Sequence, residues 1–122
     1  MVKGIGIDIE PVARLETMLA RYDRGMLQLI FTAGELDRQE QSAAPALSLA
    51  LCFSVKEAVA KALGSGFSTI DWNEIDAEVR GEQIKITLSG RALRQAQSLA
   101  ITALVASWAS WEGQVVVTVV AE

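Results

Sequence analysis

Histidine is absent from this chain, and cysteine occurs only once. Without histidine the chain can form neither a Ser-His-Asp nor a Cys-His catalytic site, and it has no histidine ligand for zinc. The single cysteine, Cys52, excludes an intramolecular disulfide and a cysteine-cluster metal site, and its apolar neighbours favour buried packing. Any metal must be held by oxygen ligands, which favours Mg²⁺, Mn²⁺ or Ca²⁺, and any general base must be Asp, Glu, Lys or Tyr.

Positive charge and long apolar runs are also scarce. The net charge is −4 and no run of Lys or Arg occurs, which argues against nonspecific nucleic-acid binding. No apolar run reaches the roughly 18 residues of a membrane span. Asp8 and Glu10 lie where a signal peptide would be apolar. We therefore expect a cytoplasmic protein with neither a membrane nor a nucleic-acid partner.

Apolar residues, in contrast, are abundant. At 122 residues the chain is long enough to bury its own core, so residues 1–122 are expected to form a single domain. A hydrophobic fraction of 51% is high for a chain of this size. Burial of apolar surface between subunits, and hence an oligomer, is therefore an open possibility.

The sequence pattern predicts an α+β fold without repeats. Pro11 can begin one helix, Thr32 and Glu35 have the spacing of a capping box, and a Gly-Ser-Gly sequence ends the long helix. The predicted helices cover 12–21, a short segment from Thr32, 46–63 and 91–100, and the predicted strands cover 4–10, 75–80, 83–88, 103–110 and 115–120. The last strand has no polar face and is expected to be buried on both sides.

The opening strand has two unlike faces, because side chains alternate along a strand. One face is apolar and consists of Ile5, Ile7 and Ile9. The other face has two glycines and two acids: Gly4, Gly6, Asp8 and Glu10. The isoleucine face is expected to pack in the core. Glycine inside a strand often marks the close approach of a ligand or of another backbone, so the other face is a candidate functional surface.

The long helix contains a second motif, residues 53–66, with the sequence FSVKEAVAKALGSG. Glu57 and Lys61 are four residues apart and share one helix face, and taken alone they are most simply a surface ion pair. Gly64, Ser65 and Gly66 follow, and a flexible loop of this kind offers backbone N–H groups suited to phosphate.

Together, the two motifs resemble those of the 4′-phosphopantetheinyl transferases. The pairing of Gly-Ile-Gly-Ile-Asp with Phe-Ser-x-Lys-Glu-Ala-x-x-Lys-Ala-Leu-Gly-x-Gly, in a chain this short, is similar to the holo-acyl carrier protein synthase type. The likeness continues in residues 31–36, in Gly66-Phe67 with Trp72 and Ile75, and in the terminal strands. It implies the family's fold, a small antiparallel sheet packed against one long helix and shorter helices.

The resemblance also implies an activity and a site. These enzymes transfer the phosphopantetheine arm of coenzyme A to a serine of an apo acyl carrier protein and release 3′,5′-ADP, with Mg²⁺ as cofactor. By resemblance, Asp8 and Glu57 are catalytic residues and metal ligands, and Lys61 is a catalytic residue that binds phosphate. Glu10 becomes a third metal ligand, because Asp-x-Glu is similar to the larger, two-lobed type of the family. The base is either Glu57 or a metal-bound water.

Further residues are implied to bind coenzyme A. Gly64, Ser65 and Gly66 would line the nucleotide, while Lys56 would either bind another phosphate or face solvent. Ser110 occupies the place of a histidine that is usual in the short type, and it can hydrogen-bond a phosphate but supplies no cation. Cys52 replaces a common arginine, so affinity for coenzyme A or the choice of carrier protein is expected to differ.

The resemblance implies two kinds of protein contact. Arg14 and Arg21 on the first helix would bind the acidic carrier protein, while Arg24 is expected to lie on an ordinary solvated face. The short type is a homotrimer with its sites at subunit interfaces, which agrees with the apolar composition.

Two other hypotheses belong to different functional classes. A weakened paralogue could bind coenzyme A or a carrier protein without turnover, and the departures at Cys52 and Ser110 favour it. A structural α+β oligomer with solvated acids is the other, but it leaves Gly4 and Gly6 unexplained.

Overall fold

The protein, described over residues 1–122 by a computed structural model, has the predicted α+β fold. Its strands are β1 (Gly4–Pro11), β2 (Ile75–Arg80), β3 (Gln83–Leu88), β4 (Leu104–Trp111) and β5 (Gln114–Ala121). Its helices are α1 (Val12–Arg21), α2 (Arg24–Leu27), α3 (Ala33–Glu40), α4 (Pro45–Ala62) and α5 (Gly90–Ser98), with a short 3₁₀ turn at Trp72–Glu74. No helix is long and apolar enough to cross a membrane.

The five strands form one antiparallel sheet in the order β1-β5-β4-β3-β2. Tight turns join β2 to β3 and β4 to β5, as expected from Gly81 and Gly113, both of which have positive φ. The β2–β3 hairpin pairs with β4 only between Ile84 and Ala106. The indole Nε1 of Trp108 adds a hydrogen bond to the Gly81 carbonyl at 3.3 Å. One face of the sheet is covered by helices, and its centre is occupied by α4.

The helix boundaries follow from local signals. Pro11 precedes the first residue of α1. The predicted capping box at α3 is confirmed, since Thr32 Oγ1 accepts from the Glu35 N–H at 3.1 Å and Glu35 Oε1 accepts from the Thr32 N–H at 2.9 Å. Helix α4 ends before Gly64, which has a φ of +77°. The one-turn helix α2 was not predicted.

The prediction that the isoleucine face of β1 packs in the core was wrong. Ile5, Ile7 and Ile9 are 57%, 52% and 56% exposed in the isolated chain. The glycine face lies against α4 instead, because only a residue without Cβ allows the strand and the helix backbones to come this close. A Cβ on Gly4 would lie 2.1 Å from the Ala62 carbonyl oxygen.

The prediction for the last strand was also wrong in part. Alternate residues of β5 are fully buried against α4, among them Val115, Val117 and Val119, while those between them are half-exposed. The half-exposed residues pair in register with the isoleucines of β1, so both strands contribute to one apolar outer face of the sheet. Helices cover only the opposite face.

We expect Gly6→Ala to destabilise the protein by about 3 kcal/mol, the upper end of the usual cost of overpacking. A Cβ at Gly6 would lie 1.8 Å from the Ala58 carbonyl oxygen, so strand and helix would have to separate. Urea denaturation measures the change. Gly25→Ala is the matched control, because its Cβ would meet only a side-chain oxygen of Asp23 at 3.3 Å. Equal midpoints for both variants would contradict the close-approach explanation.

Candidate active site

Strand β1 runs alongside α4, and Asp8 lies beside the middle of this helix. The Ser54 hydroxyl donates to Asp8 Oδ2 at 2.9 Å and approaches the Asp8 carbonyl oxygen at 3.3 Å. The Lys61 ammonium donates to the Ile7 carbonyl at 2.8 Å and lies 3.5 Å from Asp8 Oδ1. Asp8 is therefore held between a hydroxyl and a cation, both of which belong to α4.

Helix geometry explains why α4 presents these groups together. Ser54, Glu57 and Lys61 are three and four residues apart, which places them on one face of a helix. No ion pair forms between Glu57 and Lys61, because the Lys61 ammonium is directed to β1. The simple surface pair considered from the sequence is thus absent, and Glu57 has no salt-bridge partner.

Glu10 follows Asp8 on the same face of β1. Its carboxylate is buried and accepts a hydrogen bond from Arg14 Nη1 at 3.2 Å, one helical turn along the chain. Burial raises the pKa of Glu10, Arg14 opposes this effect, and the charges of Asp8 and Glu57 add to it. The three acids are therefore close enough to act on one another electrostatically.

The pKa of Glu57 is raised in the same way. Burial is the main cause and the charge of Asp8 adds to it, while Lys61 and Arg14 lower it. An acid that is partly buried beside another acid and has no cation of its own is poised to accept a proton or a metal ion.

A hard cation is the metal that this donor set suits. Asp8, Glu10 and Glu57 supply only carboxylate oxygens, the ligands that Mg²⁺ prefers. In this structure, however, no three acidic or cysteine side chains are gathered closely enough to hold a metal ion. Asp8 is engaged by Ser54 and Lys61, and Glu10 is engaged by Arg14.

Lys56 was expected from the sequence either to bind a phosphate or to face solvent, and it does neither. Its side chain is fully buried, and its ammonium lies 2.7 Å from Glu35 Oε1. It also donates to the carbonyls of Trp72 and Ile75. The group therefore faces neither solvent nor an open phosphate site, and it joins α4 to α3 and to the start of β2.

The residues predicted to bind the nucleotide lie far apart within one chain. Gly64–Gly66 follow the C-terminal end of α4, and both glycines have positive φ. Exposed Ser110 lines a groove beside Leu47, in the first turn of the same helix. At 1.5 Å per residue the two ends of α4 are about 25 Å apart. One chain therefore does not bring Ser110 to the Gly-Ser-Gly loop.

A groove of about 550 Å³ opens beside the site between α1 and an aromatic cluster. Trp72 stacks on Phe67 with ring centres 3.8 Å apart and on Phe53 with centres 4.9 Å apart. Arg14 and Arg21 both line this groove, and the Arg14 guanidinium lies 5.5 Å from the centre of the Phe53 ring. Arg24 is directed elsewhere and pairs with two acids of α3, Asp37 and Glu40.

Two features of this region were missed from the sequence. The contact of Ser54 with Asp8 could have been found, because Ser54 shares a helix face with Glu57 and Lys61. The pairing of Lys56 with Glu35 had no local signal, since the two residues lie on different helices and meet only in the folded chain.

Comparison with known proteins gives the family. Residues 4–120 match the model of the 4′-phosphopantetheinyl transferase superfamily. A holo-[acyl-carrier-protein] synthase of Bartonella henselae is 38% identical over 101 residues, which are 81% of this chain and 76% of that protein.

Solved structures agree with this match. The crystal structure of the holo-[acyl-carrier-protein] synthase of Neisseria meningitidis superposes with a TM-score of 0.88 at 27% identity, over 100% of this chain and 99% of that one. The Helicobacter pylori synthase, solved in complex with coenzyme A, superposes with a TM-score of 0.79 at 28% identity, over 97% and 99% of the two chains. This chain belongs to the 4′-phosphopantetheinyl transferase superfamily, and its length and fold are those of the short, holo-[acyl-carrier-protein] synthase type.

Proposed function

We propose that this protein is a holo-[acyl-carrier-protein] synthase that transfers the 4′-phosphopantetheine arm of coenzyme A to a serine of an apo acyl carrier protein. The observation that carries the proposal is the convergence of Asp8, Glu57 and Lys61 where β1 packs along α4, in a chain of this family. The named activity of the related synthases, one of them solved with coenzyme A, supports the same reaction.

The reaction makes one bond and breaks one. The serine oxygen of the carrier protein attacks the phosphorus that bears the pantetheine arm, and the bond from this phosphorus to the oxygen of 3′,5′-ADP breaks. Glu57 would accept the serine proton, unless a cation held by the same acids supplies a bound water as the base. Lys61 would supply a positive charge for the pyrophosphate, because its side chain is 52% exposed and its ammonium lies 3.5 Å from Asp8 Oδ1.

We assign Mg²⁺ as the cofactor and Asp8, Glu10 and Glu57 as the residues that would hold it. When bound, the cation would neutralise charge on the pyrophosphate during transfer. The oxygen-only donor set and the raised pKa values of Glu10 and Glu57 support this assignment. Release of Glu10 from Arg14 is needed before all three acids can turn to one ion.

The carrier protein is proposed to dock along the groove beside α1. Arg14 and Arg21 line it, and two cations beside partly buried apolar side chains suit an acidic helical partner. Transfer of the arm to the serine also requires the carrier to lie close to Asp8. The groove begins one residue from Ser54, at Phe53.

The nucleotide of coenzyme A is proposed to be shared between two subunits of a homotrimer. Gly64, Ser65 and Gly66 of one subunit and Ser110 of its neighbour would line it, because the two groups lie at opposite ends of α4 within one chain. The apolar outer face of the sheet supports subunit contact, since exposed apolar patches of this kind mark interfaces.

We expect Ile7→Lys to shift the protein from trimer to monomer. Ile7 lies midway along β1 on the outer face of the sheet, and a lysine there would place an ammonium in an apolar interface. Light scattering after gel filtration measures the mass as a multiple of the 13.1 kDa chain. Leu29→Lys is the control, because Leu29 is 73% exposed but lies on the helical side of the molecule. An unchanged mass for Ile7→Lys would contradict the proposed interface.

The activity is tested directly by mass spectrometry. The protein is incubated with Mg²⁺, coenzyme A and an apo acyl carrier protein, and a carrier that gains the mass of the phosphopantetheine arm establishes transfer. Coenzyme A binding without any mass change would favour the weakened paralogue suggested by Cys52 and Ser110. The same proposal includes a single transferase domain over residues 1–122 and a cytoplasmic location.

A further inference from the structure

The three acids of the site differ in their counter-charges. Asp8 has Ser54 and Lys61 within hydrogen-bond or ion-pair distance, whereas Glu10 has one charged partner, Arg14. The side chain of Glu10 is 5% exposed and that of Arg14 is 62% exposed. This pair therefore connects a buried acid of the site with a guanidinium at the protein surface.

Arg14 has contacts on two sides. One of its nitrogens donates to Glu10, and its guanidinium also lies over the Phe53 ring at the wall of the groove. A guanidinium has five N–H donors, and Glu10 is its only side-chain acceptor in this structure. Arg14 can thus pair with an anion in the groove, but its charge is partly neutralised while Glu10 holds it.

We propose that the Glu10–Arg14 pair couples occupancy of the metal site to docking of an acidic carrier protein. A divalent cation at Glu10 would replace Arg14 as the counter-charge of this carboxylate, so Arg14 would be held less strongly. The released guanidinium would then pair with a carboxylate of the carrier. The inference rests on the proposed function, because it assumes both the metal site and the docking groove.

Arg21 provides an internal comparison. It lines the same groove two helical turns from Arg14, and no carboxylate forms a salt bridge with it. Its availability to the carrier is therefore independent of the metal. Arg21→Gln should weaken carrier binding by the same factor with and without Mg²⁺, whereas Arg14→Gln should weaken it mainly when Mg²⁺ is present.

The coupling is measured as carrier affinity with and without saturating Mg²⁺ at constant ionic strength. The probe is an apo acyl carrier protein whose acceptor serine is replaced by alanine, so that it binds but cannot react. For the unchanged protein, Mg²⁺ should tighten carrier binding about fivefold, the lower end of typical coupling between two sites. By linkage, the carrier should tighten Mg²⁺ binding by the same factor.

Glu10→Gln is the decisive variant. Because its Arg14 has no carboxylate to neutralise its charge in either condition, the carrier should bind tightly without Mg²⁺, and adding Mg²⁺ should change the affinity less than about twofold. Glu16→Gln removes the same charge from α1 at an exposed position without a salt bridge, and it should keep the full coupling.

The results distinguish failure of the coupling from failure of the proposed function. A fivefold effect that persists in Glu10→Gln would overturn the coupling, and so would carrier binding that is indifferent to Mg²⁺ in a protein that still transfers the arm. Absence of both carrier binding and transfer in the unchanged protein would instead overturn the proposed function, and the coupling with it.

Discussion

Glu57→Gln is expected to lower the rate of phosphopantetheine transfer by about a hundredfold to ten-thousandfold, the range for loss of a positioned acid–base group. Glutamine keeps the size of the side chain but can neither accept the serine proton nor neutralise a cation. Both possible bases would be affected, because the water of a bound cation would also depend on Glu57 as a ligand of that cation. The measurement is the initial rate at saturating coenzyme A and Mg²⁺, followed by the mass of the carrier protein.

The same substitution should stabilise the free protein at neutral pH. The folded structure raises the pKa of Glu57 above 4.5, so the ionised carboxylate is disfavoured there relative to the unfolded chain. This cost is present above the raised pKa and disappears as the pH falls towards 4.5. The gain in the free energy of unfolding for Glu57→Gln should therefore be largest near pH 7 without metal and vanish near pH 4.

Glu82→Gln is the control for both measurements. Glu82 is exposed in the β2–β3 turn and has no salt bridge, so neither the rate nor the pH dependence of stability should change. Transfer at the normal rate by Glu57→Gln would contradict the site. Lower activity with an unchanged pH profile of stability would retain the catalytic role but refute the electrostatic explanation.

Much of the fold could be predicted because its signals are local. The capping box of Thr32 and Glu35 places the start of α3, and the turns at Gly81 and Gly113 place two hairpins. The orientation of β1 could not be predicted in this way. Period-two alternation shows that the strand has two faces, and apolarity alone predicts that the isoleucines face the core. In the structure Gly4 and Gly6 face α4 instead, because the strand and the helix lie too close together for a Cβ.

The candidate site was likewise predictable from the sequence only in part. Asp8 and Glu57 follow from the family motifs, and the shared helix face of Glu57 and Lys61 follows from their spacing. What the spacing could not show is the acceptor of each cation. Lys61 bonds to β1 instead of Glu57, because the glycines allow β1 to lie within its reach. Lys56 is buried because it pairs with Glu35, an acid that is distant in the sequence.

Lys56→Met is expected to destabilise the protein by about 3–5 kcal/mol, the usual cost of removing one partner of a buried ion pair. Glu35 is fully buried with Lys56, so the substitution would leave its carboxylate without a counter-charge. The carbonyls of Trp72 and Ile75 would each lose one hydrogen-bond donor as well. Chemical denaturation measures the loss.

Lys61→Met provides the matched control, because the Lys61 side chain is 52% exposed on the same helix and should cost about 1 kcal/mol or less. The double variant Glu35→Gln with Lys56→Met should recover part of the loss, since it removes the uncompensated charge while glutamine can still accept one backbone N–H. Equal costs for the two lysine substitutions would show that burial of Lys56 does not anchor α4. A large cost with recovery in the double variant would mean that Lys56, the residue next to Glu57, is held in place by the charge of Glu35 on α3.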